Sequence, residues 1–347
     1  MFYHVRGEFQ TARELGEQLL SLAQRVHDPA LLVRAHKMLG DTLFWLGELA
    51  SARTHLEQGL ALYNPEQHRS DVFFYVYDHG VNGLSYAALA LWLLGSPAQA
   101  LQRIHEALTL ARELSHPLSL AMALNYAAWL HQCRREGQAA QEQAEAATVL
   151  SGEQGSPFWL AWGTILRGWA LAEQGQGEEG IAQIRQGLAA YQAMGTGVGR
   201  SYFLNLLAEA YGKTGQVEEG LTALAEALDV VHKTGERFYE AELYRLKGEL
   251  LLAQEGSRLQ AVGLREKIEE AEACFLKAID IAQCQQAKSL ELRAVMSVSR
   301  LWQQQGRAAE AHTMLSEIYN WFTEGFDTKD LQEAKMLLNS LESDLET

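Results

Sequence analysis

Several short stretches of this sequence carry residue types able to do chemistry. Gly83-Leu-Ser-Tyr-Ala87 is half of a nucleophile elbow, which works only where a strained strand-to-helix turn exposes its serine. Here the serine enters an apolar helical run, which predicts a structural role. Tyr211-Gly212-Lys213-Thr214 matches the end of a phosphate-binding loop, but Leu207 stands where that loop needs its earlier glycine. His105-Glu106 opens the helical zinc-protease pattern, yet Thr109 occupies the place of the second histidine. His36, His131 and His232 are isolated and read as solvated or core histidines. Asp78, His79 and Ser85 bring an acid, a base and a hydroxyl into one segment, so a hydrolase using the 63–85 loop is the enzymatic alternative. Cys133, Cys274 and Cys284 are too few for a disulfide framework and lack metal spacing. On one helix Cys274 and Cys284 would lie roughly 15 Å apart, beyond disulfide reach. No catalytic constellation is complete. The expectation is a chain that is no enzyme, with no metal, no cofactor and free thiols.

A repeated element positions these side chains. Helix-like runs end at Gly95, Arg135, Gly175, Gly215 and Glu255, each 40 residues after the last. Ala100, Ala140, Gly180 and Gly220 follow the first four, and Ala107, Ala147, Gly187 and Ala227 come a further two helical turns along. Small residues returning in register mark a helical hairpin stacked into a solenoid. Gly168, Ala208 and Gly248 recur where paired helices must approach, so Gly168→Leu should cost on the order of 1 to 3 kcal/mol by overpacking. The composition agrees: 48% of residues are hydrophobic, and none of the five prolines lies beyond Pro157. One all-α domain spanning 1–347 is expected, as a right-handed superhelix of roughly eight hairpins.

In chain order, residues 1–30 read as an incomplete first repeat, since Gly7 precedes Gly47 by one period. An unpaired first helix would leave an apolar face, which lost upstream residues or self-association would cover. A long connection, 63–85, carries Asn64-Pro65 and the aromatics Phe73, Phe74, Tyr75 and Tyr77. It reads as packing on the solenoid, with a ligand-contacting loop as the alternative. A charged insertion covers 256–268, and a capping helix 328–347 shows Leu331, Ala334, Leu337, Leu338, Leu341 and Leu345 at helical spacing.

The net charge of −15 opposes nonspecific attraction to nucleic acid, so no nucleic-acid partner is expected. The longest apolar run, Leu84 to Leu94, is well short of the ~20 residues a spanning helix needs, and no apolar signal core follows Met1. No membrane association and a cytoplasmic location are expected.

Gly40, Gly47 and Ala52 give the unit from Leu31 a resemblance to the tetratricopeptide repeat, with about six residues more than that family's period of about 34. The segments from Gly235 to Leu252 and from Trp321 to Leu331 resemble the C-terminal repeat region of large bacterial regulators. In these a class III nucleotide cyclase or DNA-binding domain is joined to a signal-transduction ATPase. The resemblance implies a sensor or interaction module whose catalysis resides upstream. It also implies that the first helices line a concave groove. Carrying the family's groove positions onto this register selects Asn125, Trp129, Gln132, Trp162, Trp169, Tyr202, Asn205, Glu209, Arg245 and Glu249. Asparagine amides can pair with an extended peptide backbone, and tryptophans offer apolar area with a polar edge. The expected ligand is a protein, a peptide or a small effector, and packing between first helices is the other reading of the tryptophans. The leading function is a non-enzymatic regulatory module, and a purely structural assembly scaffold is the alternative.

Overall fold

A computed structural model describes residues 2–68, 76–254 and 261–346. Phe73, Phe74, Tyr75, Glu255 and Arg258 lie outside the described residues. No strand occurs among those described, and the helices follow one another as hairpins. A one-turn helix α1 (Phe2–Val5) precedes α2 (Phe9–Val26). Then come α3 (Pro29–Trp45) with α4 (Leu49–Leu62), the short α5 (Pro65–His68), and α6 (His79–Leu93) with α7 (Pro97–Glu113). The regular hairpins are α8 (Pro117–Cys133) with α9 (Gly137–Glu153), and α10 (Pro157–Glu173) with α11 (Gly177–Ala193). Two more are α12 (Arg200–Lys213) with α13 (Val217–Thr234), and α14 (Glu240–Ala253) with α15 (Ala261–Gln285). Finally α16 (Lys288–Gln304) pairs with α17 (Ala308–Trp321), and α18 (Lys329–Glu346) packs on both.

The 40-residue rhythm has a backbone cause. Gly95, Arg135, Gly175 and Gly215 all sit in the left-handed region, with φ of 87°, 61°, 87° and 75°, and end the first helix of each pair. Glycine enters that region without the Cβ penalty, whereas Arg135 does so against it. Helix starts are set by side chains: Asp28 accepts from Ala30 N and Leu31 N at the start of α3, and Asp78 accepts from Val81 N at the start of α6. Small residues permit close packing within each pair. A Cβ on Gly168 would lie 2.7 Å from the Gly180 carbonyl oxygen, and one on Gly248 2.5 Å from the Phe275 ring. At Gly168 the obstacle is backbone, which cannot rotate away.

The structure gives detail at three of the segments marked in the sequence. The connection after α4 ends at Asp78, because that side chain caps α6; Ser85 is thus well inside a helix. The 256–268 segment is helical from Ala261 and extends α15. In the terminal helix Leu331, Ala334, Leu337, Leu338 and Leu341 are buried while Leu345 is half exposed.

The solenoid winds far enough for its later hairpins to rest on its earlier ones. The carbonyls at a helix C-terminus have no partner within the helix. Here, four such helix ends accept from residues much further along. Val5 O receives Gly197 N at 2.9 Å, and Trp45 O receives Arg237 N at 2.7 Å. Trp92 O receives the Ser289 hydroxyl, 197 residues later, and Cys133 O receives a guanidinium nitrogen of Arg293. Beside this seam a buried carboxylate, Glu236, ties two of the later connections together by accepting from Gly199 N at 2.7 Å, Ser201 N at 3.2 Å and the Ser201 hydroxyl.

Candidate binding site in the superhelix interior

The first helices α3, α6, α8, α10, α12, α14 and α16 line the interior, and the interior divides into two sections. The first is crowded with aromatic rings. Phe44 and Phe238 stack with centroids 5.0 Å apart, although they come from α3 and from the turn before α14. Trp129 touches Trp45, Tyr126, Trp162, Tyr202 and Phe238 at ring distances of 4.8 to 5.6 Å. These rings meet because the seam between superhelical turns closes over them. Asn125, Trp129, Trp162, Tyr202 and Asn205 are consequently buried in this core, each 1% exposed or less. The Asn125 amide donates to Ala121 O and Trp159 O, so it ties α8 to α10. Sequence reasoning could not see the seam, since nothing in a 40-residue period encodes the superhelical pitch.

The second section is open and ionic. A cavity of about 370 Å³ opens between α10, α12, α14, α16 and α18, and its lining includes Gln132, Glu209, Arg245 and Glu249. Trp169 lies behind it, buried, with its indole N–H donating to Glu209 at 3.0 Å. The sequence reading missed Arg135, Glu173, Lys213, Glu242, Arg293, Ser297, Arg300, Asp330 and Glu333, which also line it. One signal was available: Trp169, Glu209 and Glu249 are spaced by 40 residues, as are Glu173 and Lys213. Arg245 grips Glu242 through two parallel bonds of 2.8 and 2.9 Å and reaches Glu249 at 3.2 Å. Ser297 donates to Glu249 at 2.6 Å. Arg293 lies over Trp92 and bonds Asp330 at 2.7 Å, while Arg135 pairs with both Asp330 and Glu333.

Electrostatics follow from this packing. Burial pushes the Glu209 carboxyl up, with the Trp169 N–H pulling the other way. Burial, together with Arg135 and Lys329, lowers the Lys213 ammonium to about 8. Burial also works against ionised Asp330, but Arg293 and Arg135 outweigh it and hold that carboxyl below its usual range. The lining can therefore offer paired, preorganised charges of both signs to a ligand.

The other candidate chemistries do not assemble. The Ser85 hydroxyl is fully buried and donates to Val81 O at 2.7 Å within its own helix, so it is no exposed nucleophile. Asp78 is engaged as the helix cap and by the Tyr63 hydroxyl at 2.8 Å. Lys213 ends a helix and pairs with Glu173 and Glu209, which is no phosphate loop. Burial pushes the Cys133 thiol up and away from a reactive thiolate. Among the described residues no group of three or more His, Cys, Asp or Glu side chains is placed to hold a metal. No described helix is long and apolar enough to cross a membrane.

Fold and repeat geometry together define a tetratricopeptide-type helical-repeat solenoid. Residues 1–64 match the tetratricopeptide repeat family. An uncharacterised protein of Rhizobium meliloti (strain 1021) is 24% identical over 295 residues, or 85% of this chain, and the chain spans only 28% of that protein's length. Among solved structures, a Rap protein complexed with Competence and Sporulation Factor superposes with a TM-score of 0.60 at 10% identity, covering 99% of this chain and 96% of Rap. The human IFIT1 dimer with m7Gppp-AAAA gives a TM-score of 0.53 at 17% identity, covering 91% of this chain and 65% of IFIT1. At these identities the likeness is one of fold.

Proposed function

We propose that this chain is a non-catalytic sensor or interaction module that receives a charged peptide or protein segment in its ionic cavity. The observation that carries this reading is the cavity of about 370 Å³, walled by buried or half-buried ion pairs of both signs and open to solvent. Carboxylates such as Glu249 and guanidinium groups such as Arg300 suit a ligand with an amine and a carboxylate near one another. The Rap protein, of the same fold, was solved complexed with Competence and Sporulation Factor, which supports a solenoid of this kind taking a partner. In this proposal the parent is a bacterial signalling ATPase or cyclase regulator in the cytoplasm, and the repeat is its sensing part. Binding changes that partner only by favouring one superhelical state over another.

The test is native mass spectrometry of the purified chain after exposure to a cell extract, repeated with Glu249→Gln and Arg300→Ala together. A retained peptide lost in the double variant supports the cavity as the receptor site. If neither protein retains one while a larger partner binds both equally, the assembly-scaffold reading takes over. One observation favours that second reading: Leu15, Leu22 and Val26, at helical spacing on α2, leave an exposed apolar face. Concentration-dependent association abolished by Leu22→Glu would support self-association there.

A further inference from the structure

The ionic cavity is not charged evenly. Lys213 faces two carboxylates, Glu173 and Glu209, and Arg245 faces two more, Glu242 and Glu249. Around Asp330 and Glu333 of α18 the ratio reverses, with Arg135, Arg293 and Arg300 sharing those two. We infer, building on the reading of this cavity as a receptor, that Arg135 and Arg300 form a subsite for a ligand carboxylate. Glu333 is its built-in occupant, which the carboxylate of the ligand replaces.

Exposure separates the carboxylates that can leave from those that cannot. Asp330 bonds Arg293 at 2.7 Å with both side chains nearly buried, and Arg293 is further held by Cys133 O. Glu333 instead gives one oxygen to Arg135 at 2.9 Å and the other to Arg300 at 3.3 Å. These side chains, Glu333, Arg135 and Arg300, are 30%, 35% and 46% exposed. An ion pair open to water contributes little to stability, so the Glu333 carboxylate can rotate into solvent. Its departure does not release α18, which Leu331, Leu337, Leu338 and Leu341 bury against the core. Arg135 then keeps Asp330 at 3.2 Å, while Arg300 loses the carboxylate it holds. Two guanidinium groups, from α16 and from the turn after α8, are left to donate charge-assisted hydrogen bonds to an incoming carboxylate. Glu249 is open too, but it is no such stand-in, since Arg245 keeps both its bonds to Glu242 when Glu249 leaves. Glu242 also comes within 3.9 Å of Arg293, yet it is the carboxylate that Arg245 grips.

A peptide C-terminus and an acidic side chain both carry this group, and the probes separate them. The full chain is titrated with triglycine, with triglycinamide, and with the amide of Gly-Glu-Gly, each followed by ligand-observed NMR. One or both of the carboxylate-bearing probes should bind more tightly than triglycinamide, and which does so names the source. Glu333→Gln should strengthen that probe roughly three- to fivefold, and adding Arg300→Ala should abolish the gain. Glu249→Gln removes the same charge from the same cavity but away from the subsite, and should weaken the probe. Equal strengthening by the two glutamine variants would reduce Glu333 to a general charge effect and overturn the inference. No gain with Glu333→Gln overturns it as well, as does a lack of saturable binding of every probe to both chains. Retention of an extract peptide by the wild-type chain decides the receptor reading separately: with it, those outcomes remove the subsite alone.

Discussion

Trp129, Trp169, Glu209 and Glu249 hold the same position in four successive hairpins, and Trp162, Tyr202 and Glu242 hold another in three. At both positions the lining changes from ring to carboxylate along the solenoid. The backbone presents each row identically, so the fold does not choose between a packed interior and an open one. The side chains do. Rings in the first section can be stripped of water at a gain, since the area they bury is apolar. Carboxylates in the second can be brought inside only against Arg245, Arg293 and Arg135, which keeps that end polar and its cavity open. One repeat thus yields a core and a receptacle by exchanging two residues per hairpin.

Mutations should separate the two sections. Trp129→Ala should cost on the order of 3 to 5 kcal/mol in a thermal or urea melt and leave the affinity of the ionic cavity for its ligand almost unchanged. Loss of that affinity together with stability would mean the sections are not independent. Arg293→Met should cost about 3 kcal/mol, the lower end for breaking a buried pair, because Arg135 still faces Asp330. Unlike Trp129→Ala, it should also release α18, visible as faster hydrogen exchange there.

The pH dependence should be the next largest effect. Burial pushes Asp41 up to about 6 and Glu236 up to about 7, and raises Glu209 in the same sense. The folded chain then holds protons that the unfolded chain has released above its ordinary values of 3.8 and 4.5. Stability is fullest below those values and falls as pH rises towards 7. Buried His4, lowered to about 3, works the other way in this range, because only the unfolded chain takes up its proton. The chain should still be more stable at pH 5.5 than at pH 8, by about 1 kcal/mol, and Glu236→Gln should reverse the sign of that difference. Asp330 acts oppositely, but only below about pH 4, as its unfolded carboxyl protonates. Smallest for stability should be Glu249→Gln, within about 0.5 kcal/mol because the side chain is partly exposed and keeps an acceptor for Ser297. Its effect belongs to binding, where a tenfold loss is expected by titration with the retained peptide.

The hairpin and its period were legible because they rest on local requirements. A left-handed turn admits few residues, and Gly95, Gly175 and Gly215 announce it; a close helix approach admits few others, and Gly168 and Gly248 announce that. The interior was only half legible. Gln132, Glu209, Arg245 and Glu249 were selectable as first-helix residues and do line a cavity. Asn125, Trp129, Trp162, Tyr202 and Asn205 were selected by the same rule, yet the seam buries them. What decides between these outcomes is how one superhelical turn meets the next. Trp45 and Phe238 settle that by touching, with nothing periodic between them to signal it. Arg293 and Asp330 were missed for a related reason: each looks like an ordinary surface charge until the other is brought beside it.

The capped helix ends also change what kind of folding unit this chain is. In an open repeat array each unit answers only to its neighbours, so unfolding can begin at either end and spread piecemeal. Here the C-termini of α1, α3, α6 and α8 depend on donors supplied by the second half of the chain. Such high-contact-order links tie the halves into one cooperative transition and slow its formation, because the ordering of a long stretch of chain precedes their reward. Removing the hairpins after Lys213 would therefore loosen the beginning of the molecule as well as its end.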